Sequence, residues 1–206
     1  MVESGSGQGT VVIIGAGMAG LSAAVVLHSR HDVVLVDKAR GVGGRLATRR
    51  IGDATFDHGA QFVTAHTPDV ARETDAWVQQ GIIRPWFRGS VDAGGATAGV
   101  GHPRFRGAAG MTDIAKHLAR GLDVRLGTRV SSLRRVDDGW LIGVEDGGPL
   151  RARGIVATPP VPQTLEMLEA GGVTLPPETE DLLGRIRYAP CLALLAPLSG
   201  PPGLPD

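Results

Sequence analysis

The chain has 206 residues, 42% of them apolar and 20% charged, a balance that excludes a disordered or fibrous polypeptide and allows one large domain or two small ones. Lys plus Arg and Asp plus Glu each number 21, so a formal charge of zero gives no basic excess for nucleic acid or an anionic membrane surface. One cysteine, Cys191, excludes an intramolecular disulfide and a cysteine-rich metal site, and a reducing, cytoplasmic compartment is the expectation that follows.

Residues 1–9 are polar and Gly/Ser-rich and read as a flexible leader. The apolar run that follows, residues 11–27, is too short for a membrane span. It contains glycines, follows no basic residue and precedes no cleavage pattern, so it is not a signal segment. Residues 10–14 instead predict a strand buried on both faces, residues 15–20 a turn, residues 18–29 a helix, and residues 32–37 a second buried strand. Residues 41–50 predict a Gly-rich loop passing into a short helix, and residues 55–64 a strand, a turn and a strand. Thr67 as N-cap, Pro68 at the first position and Gly81 past the end predict a helix over 68–80. Residues 82–87 are strand-like, and the Gly/Ala-rich residues 89–101 predict a loop. Thr112 is expected to cap a helix that Gly121 ends. Residues 123–136, 139–146 and 150–157 predict a three-stranded meander, with Asp137-Asp138-Gly139 as a hairpin turn. Helices are predicted over 161–170 and 177–187, and a last strand over 192–196, which makes Cys191 a buried, inert thiol. The run from Gly200 to Asp206 is loop composition.

Gly15-Ala16-Gly17-Met18-Ala19-Gly20 is G-x-G-x-x-G between a predicted strand and a predicted helix. The first glycine permits a tight turn, the second lets a pyrophosphate approach the backbone, and the third lets helix and strand pack closely. The helix N-terminus adds unpaired N–H groups and a positive dipole end. Asp37, 20 residues after Gly17, ends the second strand, where an acid accepts hydrogen bonds from a ribose. This pattern marks a dinucleotide site without separating NAD from FAD.

The next stretch separates them. Asp37-Lys38 followed by Arg40-Gly41-Val42-Gly43-Gly44-Arg45 resembles the second glycine motif of the flavin amine oxidase and renalase superfamily. Continuing through Leu46-Ala47-Thr48-Arg49-Arg50, with Phe56-Asp57-His58-Gly59-Ala60-Gln61-Phe62, it resembles the bacterial renalase-type stretch. Softer matches follow at Gly110-Met111, the strand from Val124 to Val130, Val156-Ala157-Thr158-Pro159 and Pro190-Cys191-Leu192-Ala193-Leu194. The resemblance implies an α/β fold: a glutathione-reductase-like FAD-binding Rossmann domain with a β-meander, interleaved with part of a smaller substrate domain. Residues 10–66 and 107–160 would be the two FAD-binding segments, and residues 67–106 and 161–206 the substrate-domain segments.

The resemblance also implies roles. Gly15, Ala16, Gly17, Met18, Ala19 and Gly20 would meet the pyrophosphate of a noncovalent FAD. Asp37, beside Lys38, would hold the ribose, and Arg45, after Gly43 and Gly44, would pair with phosphate. Gly59, Ala60, Gln61 and Phe62 would lie against the flavin ring, Val130 on the adenine side, and Ala157 and Pro159 along the cofactor. Renalase-type enzymes pass a hydride from dihydronicotinamide isomers to FAD, with O2 as reoxidant and hydrogen peroxide as product.

The residues themselves are compatible with that chemistry. Hydride transfer to a flavin requires neither a protein nucleophile nor a metal, and no metal-ligand spacing or nucleophile set stands out. Gln61 and Phe62 are flavin-facing candidates, although Phe62 could equally be core. His58 is a candidate acid or base but more readily a structural hydrogen-bonder. Trp77 and Trp86 are candidates to line a pocket, whereas Trp140 reads as packing. Nothing after Pro197 matches the C-terminal Gly-Asp segment that closes the family's FAD site. The expectation is therefore a chain lacking a C-terminal part, marginally stable by itself and binding FAD weakly. Rival readings are a flavin amine oxidase with another small-molecule donor, and a non-catalytic remnant or FAD-binding fragment. An NAD-dependent dehydrogenase is disfavoured by Gly43-Gly44-Arg45.

Overall fold

The computed structural model describes residues 9–91, 97–198 and 200. In chain order the elements are β1 (Val11–Ile14), α1 (Met18–Leu27), β2 (Val33–Asp37), a 3-10 turn (Gly44–Leu46), β3 (Thr48–Ile51), β4 (Ala54–Asp57), β5 (Val63–Thr64), α2 (Pro68–Gln79), β6 (Ile83–Val91), β7 (Thr97–Gly107), α3 (Thr112–Leu118), β8 (Asp123–Leu126), β9 (Val130–Val136), β10 (Gly139–Val144), β11 (Leu150–Ala152), β12 (Gly154–Ala157), α4 (Val161–Ala170) and α5 (Pro177–Gly184). They form two compact units. One comprises the described residues up to Arg45 with Ala115–Tyr188, and the other Leu46–Ile114 with the residues after Tyr188. No helix among the described residues is long and apolar enough to cross a membrane.

The first unit is built on a parallel sheet of order β12-β1-β2-β8. Its inner strands read VVII and VVLVD because both faces are covered, so apolar residues run continuously rather than alternating. On one face Val12, Ile14 and Val36 join Leu133, Ile142, Ala152 and Met167 in a single core, built from the sheet, the antiparallel meander β11-β10-β9 and helix α4. On the other face Ile13 and Leu35 are fully buried, as are Leu21 and Ala24 of α1, which packs against β1 and β2. Trp140 is partly buried against the core and carries the Arg135 guanidinium 5.0 Å above its ring, so it is packing.

The second unit holds the β3-β4 hairpin and an antiparallel sheet of order β5-β7-β6. Helix α2 starts as expected, with the Thr67 hydroxyl accepting from Val70 N, and Gly81 at φ +69° follows its end. Ile83 and Phe105 are buried on one face of the sheet, and Trp77 of α2, which packs along β6, is 4% exposed. Trp77 is therefore core.

Several expectations are corrected. The short helix predicted within 41–50 is the 3-10 turn Gly44–Leu46, and only residues 48–50 of that range depart from the expectation, as part of strand β3. Residues 89–91 and 97–101, expected as loop, extend β6 and β7; residues 92–96 lie outside the described set, as do residues 1–8 of the leader and residues 201–206. The segments 123–136 and 150–157 do not serve the meander alone. Gly127, at φ +67°, turns the chain between β8 and β9, and β8 and β12 pair with the parallel sheet instead. The Thr112 side chain binds β3 rather than capping its own helix: it accepts from Thr48 N at 2.6 Å and donates to Leu46 O.

Residues 192–196 form no strand, and Leu192 and Leu194 are almost wholly exposed. β-propensity without a partner strand does not make a sheet. Cys191 is exposed, not buried. The native chain is expected to react with one equivalent of a thiol reagent at the rate of a free surface thiol. Protection until denaturation would contradict that placement.

Candidate functional site

The first glycine motif connects β1 to α1. Gly15 sits at φ +103°, and its N–H donates to Val36 O at 2.8 Å. A Cβ added at Gly15 would lie under 3.0 Å from Thr158 Oγ1, and one at Gly20 under 3.0 Å from Gly15 O. Packing inside the chain therefore explains both glycines. It does not explain Gly17. Its backbone is extended, at φ −82° and ψ −176°, which any residue adopts. A Cβ there would meet no protein atom closer than Gly43 O at 3.9 Å. The space beside Gly17 is left open, as a backbone-contacting ligand requires.

The second glycine motif closes against the first. Gly43 N donates to Ala16 O at 2.9 Å, and Gly17 and Gly43 form a parallel bridge. Gly43 and Gly44 both have positive φ, and a Cβ at Gly44 would touch Gly17 Cα at 3.4 Å. Met18 and Ala19 are exposed on the first turn of α1, whereas Ala16 is buried.

Asp37, half-buried, accepts from Ala16 N at 2.6 Å through one carboxylate oxygen and from Ala39 N at 2.7 Å through the other. Two backbone bonds fix the carboxylate and leave acceptor capacity on each oxygen for ribose hydroxyls. Lys38 Nζ donates to Gln163 Oε1 at 3.0 Å. Thr128 N donates to Asp37 O and Gly127 N to Ala39 O, which ties the turn before Val130 to the chain after Asp37. Ala157 ends β12 beside Ile14, exposed, and Pro159 is half-buried. Arg45 is exposed and forms no ion pair among the described residues.

These positions gather at the carboxyl ends of β12, β1, β2 and β8, where open α/β sheets bind ligands. The residues fit the adenosine and pyrophosphate end of a dinucleotide: a glycine with open space, a helix N-terminus and a pre-positioned acid. Thr158 has a role that sequence reasoning misses. The sequence marks it only as a strand breaker, yet its hydroxyl donates to Ile14 O at 2.7 Å and occupies the space that a Gly15 side chain would need.

In the second unit, His58, Gly59, Ala60, Gln61 and Phe62 all lie exposed between β4 and β5. Phe62 is not core. It meets Phe87 edge-to-face at 6.3 Å, and the Arg104 guanidinium sits 4.6 Å from the Phe62 centroid and 4.7 Å from that of Phe87. Trp86 is half-exposed, its ring 4.9 Å from Phe87. A cleft of about 280 Å³ is lined by Phe62, Thr64, His66, Gly89, Gly101, His102 and Arg104. Among the described residues no group of three or more His, Cys, Asp or Glu is placed to hold a metal ion.

Two family models match the chain: an NAD(P)-binding Rossmann-like domain over residues 13–76, and flavin containing amine oxidoreductase over residues 83–202. Renalase from Mus musculus is 25% identical over 170 residues, which are 76% of this chain and 48% of the mouse protein. L-amino acid oxidase from Cerastes cerastes is 56% identical over 41 residues, 19% of this chain and 8% of that protein. The chain thus spans about half, or less, of the curated relatives it matches. Among solved structures, the A394C mutant of putrescine oxidase superposes with a TM-score of 0.65 at 15% identity, covering 86% of this chain and 63% of that one. The wild type bound to putrescine gives 0.58, covering 75% and 59%. At that identity the likeness carries the fold alone.

Proposed function

The chain belongs to the family of flavin-containing amine oxidoreductases and its cofactor is FAD; from that premise we propose a renalase-like oxidoreductase that takes a hydride from a reduced nicotinamide-type small molecule. The observation that carries the cofactor end of this reading is Gly17, a glycine that the chain's own packing does not require, set between Gly43-Gly44 and the anchored carboxylate of Asp37. The choice of donor follows the similarity to mouse renalase along most of the chain.

On this reading the backbone of residues 15–20 and the N-terminus of α1 hold the pyrophosphate, because unpaired N–H groups and the dipole favour an anion there. Asp37 accepts from the ribose and Lys38 stands beside it. Arg45 supplies a guanidinium to phosphate, where planar charge-assisted pairing is strong. The backbone at Val130 serves the adenine side, and Ala157 and Pro159 border the cofactor. Gly59, Ala60, Gln61 and Phe62 meet the flavin ring, with His58 next to them as a hydrogen-bonder. When bound, FAD would supply the hydride acceptor, with O2 and a proton taking up the two electrons as hydrogen peroxide and no protein nucleophile required. The interleaved division proposed from the sequence assigns residues 10–66 and 107–160 to the cofactor, and residues 67–106 and 161–206 to the substrate.

A visible spectrum after loading with FAD and desalting, with an equilibrium FAD titration beside it, tests the cofactor end: retained flavin bands support it, loss on desalting with saturable uptake in the titration fits weak binding by this chain, and no uptake at saturating FAD counts against it. Peroxide release with 1,2- or 1,6-dihydronicotinamide isomers and none with amines is the expected activity. The reverse pattern would favour an amine donor.

A further inference from the structure

Strands β5, β6 and β7 carry Arg84, Arg88, His102, Arg104 and Arg106 and not one aspartate or glutamate, in a chain whose formal charge is zero. These strands therefore carry four arginines with no carboxylate among them. Their arrangement is also specific. Pro85 pairs with Phe105, but Phe87 pairs with Arg104, so a bulge in β6 absorbs Trp86. The bulge reverses the alternation and brings Phe87 opposite Arg104, on the face away from buried Phe105. Thr64 pairs with Arg104 from the other side.

The Arg104 guanidinium therefore lies over two rings, Phe62 and Phe87. With the two rings 73° apart, the planar ion lies flat on at most one of them, and those of its five N–H donors that are not aimed at a ring are left for acceptors. Arg104 is half-buried, yet among the described residues no carboxylate pairs with it. Two histidines share the cleft: His66 and His102 stack edge-to-face at 4.5 Å, and the Thr64 hydroxyl lies 2.9 Å from His66 Nε2. Gly89, at φ +88°, and Gly101 line the cleft beside each other, and a Cβ at Gly101 would touch Gly89 Cα at 3.4 Å.

We propose that this cleft binds an oxyanion, the phosphate or carboxylate of a small-molecule donor, with Arg104 as the anchor and Thr64, His66 and His102 around it. The inference deepens the proposed function, on which it rests for the donor being a small molecule. Within that function it favours donors that carry an anionic group over diamines, which the arginine-rich sheet repels.

The test is a calorimetric titration of the FAD-loaded full chain with inorganic pyrophosphate at low ionic strength, FAD occupying its own site. R104Q is expected to weaken binding at least tenfold. R104K should weaken it less, since it keeps the charge and loses the fork. R72Q, on the exposed surface of α2, should stay within twofold. Displacement of pyrophosphate by AMP alone assigns a phosphate, by acetate alone a carboxylate, and by both either group. No measurable binding by the parent chain, equal affinity in R104Q, or displacement by putrescine overturns the proposal. With turnover, R104Q should raise KM at least tenfold for a phosphate-bearing dihydronicotinamide, leaving kcat and the KM of the phosphate-free riboside unchanged. If neither donor reduces the flavin, the donor reading fails while the titration still decides the cleft.

Discussion

Replacing Gly17 by Val is expected to abolish FAD retention while leaving the apo chain folded. The backbone at Gly17 suits any residue, and a Cβ there meets protein only at 3.9 Å, so the folded state accepts a Cβ at this position. The cost is that of a poor N-cap for α1, about 1 kcal/mol or less. The branched side chain would stand in the space proposed for the pyrophosphate, and a loss of at least about 100-fold in affinity corresponds to about 2.7 kcal/mol. Gly20→Ala should behave in the opposite way. Its Cβ would overlap Gly15 O, which is backbone and cannot rotate aside, so the loop or α1 must shift. Overpacking of that kind costs about 3 kcal/mol of stability, whether or not FAD is present. Urea unfolding of both apo variants, with FAD titration followed by flavin fluorescence, separates the two roles. A Gly17→Val chain that binds FAD as tightly as its parent would remove Gly17 from the cofactor site.

The contrast between these glycines shows what the residue pattern could and could not disclose. The spacing G-x-G-x-x-G with Asp37 was readable because a parallel β-α-β unit forces it: strand, tight turn, helix and second strand are contiguous, and their apolar runs are continuous. The assignment of β8 and β12 to the parallel sheet was not readable. A four-residue strand such as DVRL or GIVA has no local mark that says which strand it will pair with, and only long-range pairing decides. The β6-β7 hairpin was hidden by its Gly/Ala-rich composition, which locally signals a loop. The Arg104 cleft was hidden for the same kind of reason. Phe62, Phe87 and Arg104 are far apart in sequence, and the bulge at Trp86 that aligns them has no local signature. Residues 192–196 show the converse error, since apolar residues with no strand to pair with remain exposed.

The polar ring around Asp57 is equally non-local, and its removal is the second large effect expected. Asp57 Oδ1 accepts from Thr48 Oγ1 at 2.6 Å and from Met111 N at 2.9 Å. Thr48 and Thr112 then bind each other twice, Thr48 N to Thr112 Oγ1 and Thr112 N to Thr48 Oγ1, and Thr112 Oγ1 reaches Leu46 O. One carboxylate oxygen thus joins the β3-β4 hairpin to the start of α3. Asp57→Ala removes two charge-assisted bonds and leaves the N–H of fully buried Met111 without its acceptor, a loss of about 3 kcal/mol. Asp57→Asn keeps an oxygen that can accept both bonds and should cost about 1 kcal/mol, the charge alone. Thr48→Val should lose a comparable amount to Asp57→Ala, and the double variant should lose less than the sum, because the two residues share one network. Since Asp57 immediately precedes residues 58–62, Asp57→Ala should also loosen the turn proposed to meet the flavin, which Asp57→Asn should preserve. Denaturant midpoints of the four chains decide the matter, and an Asp57→Ala chain within about 0.5 kcal/mol of its parent, the range of an ordinary surface change, would mean that the ring contributes little.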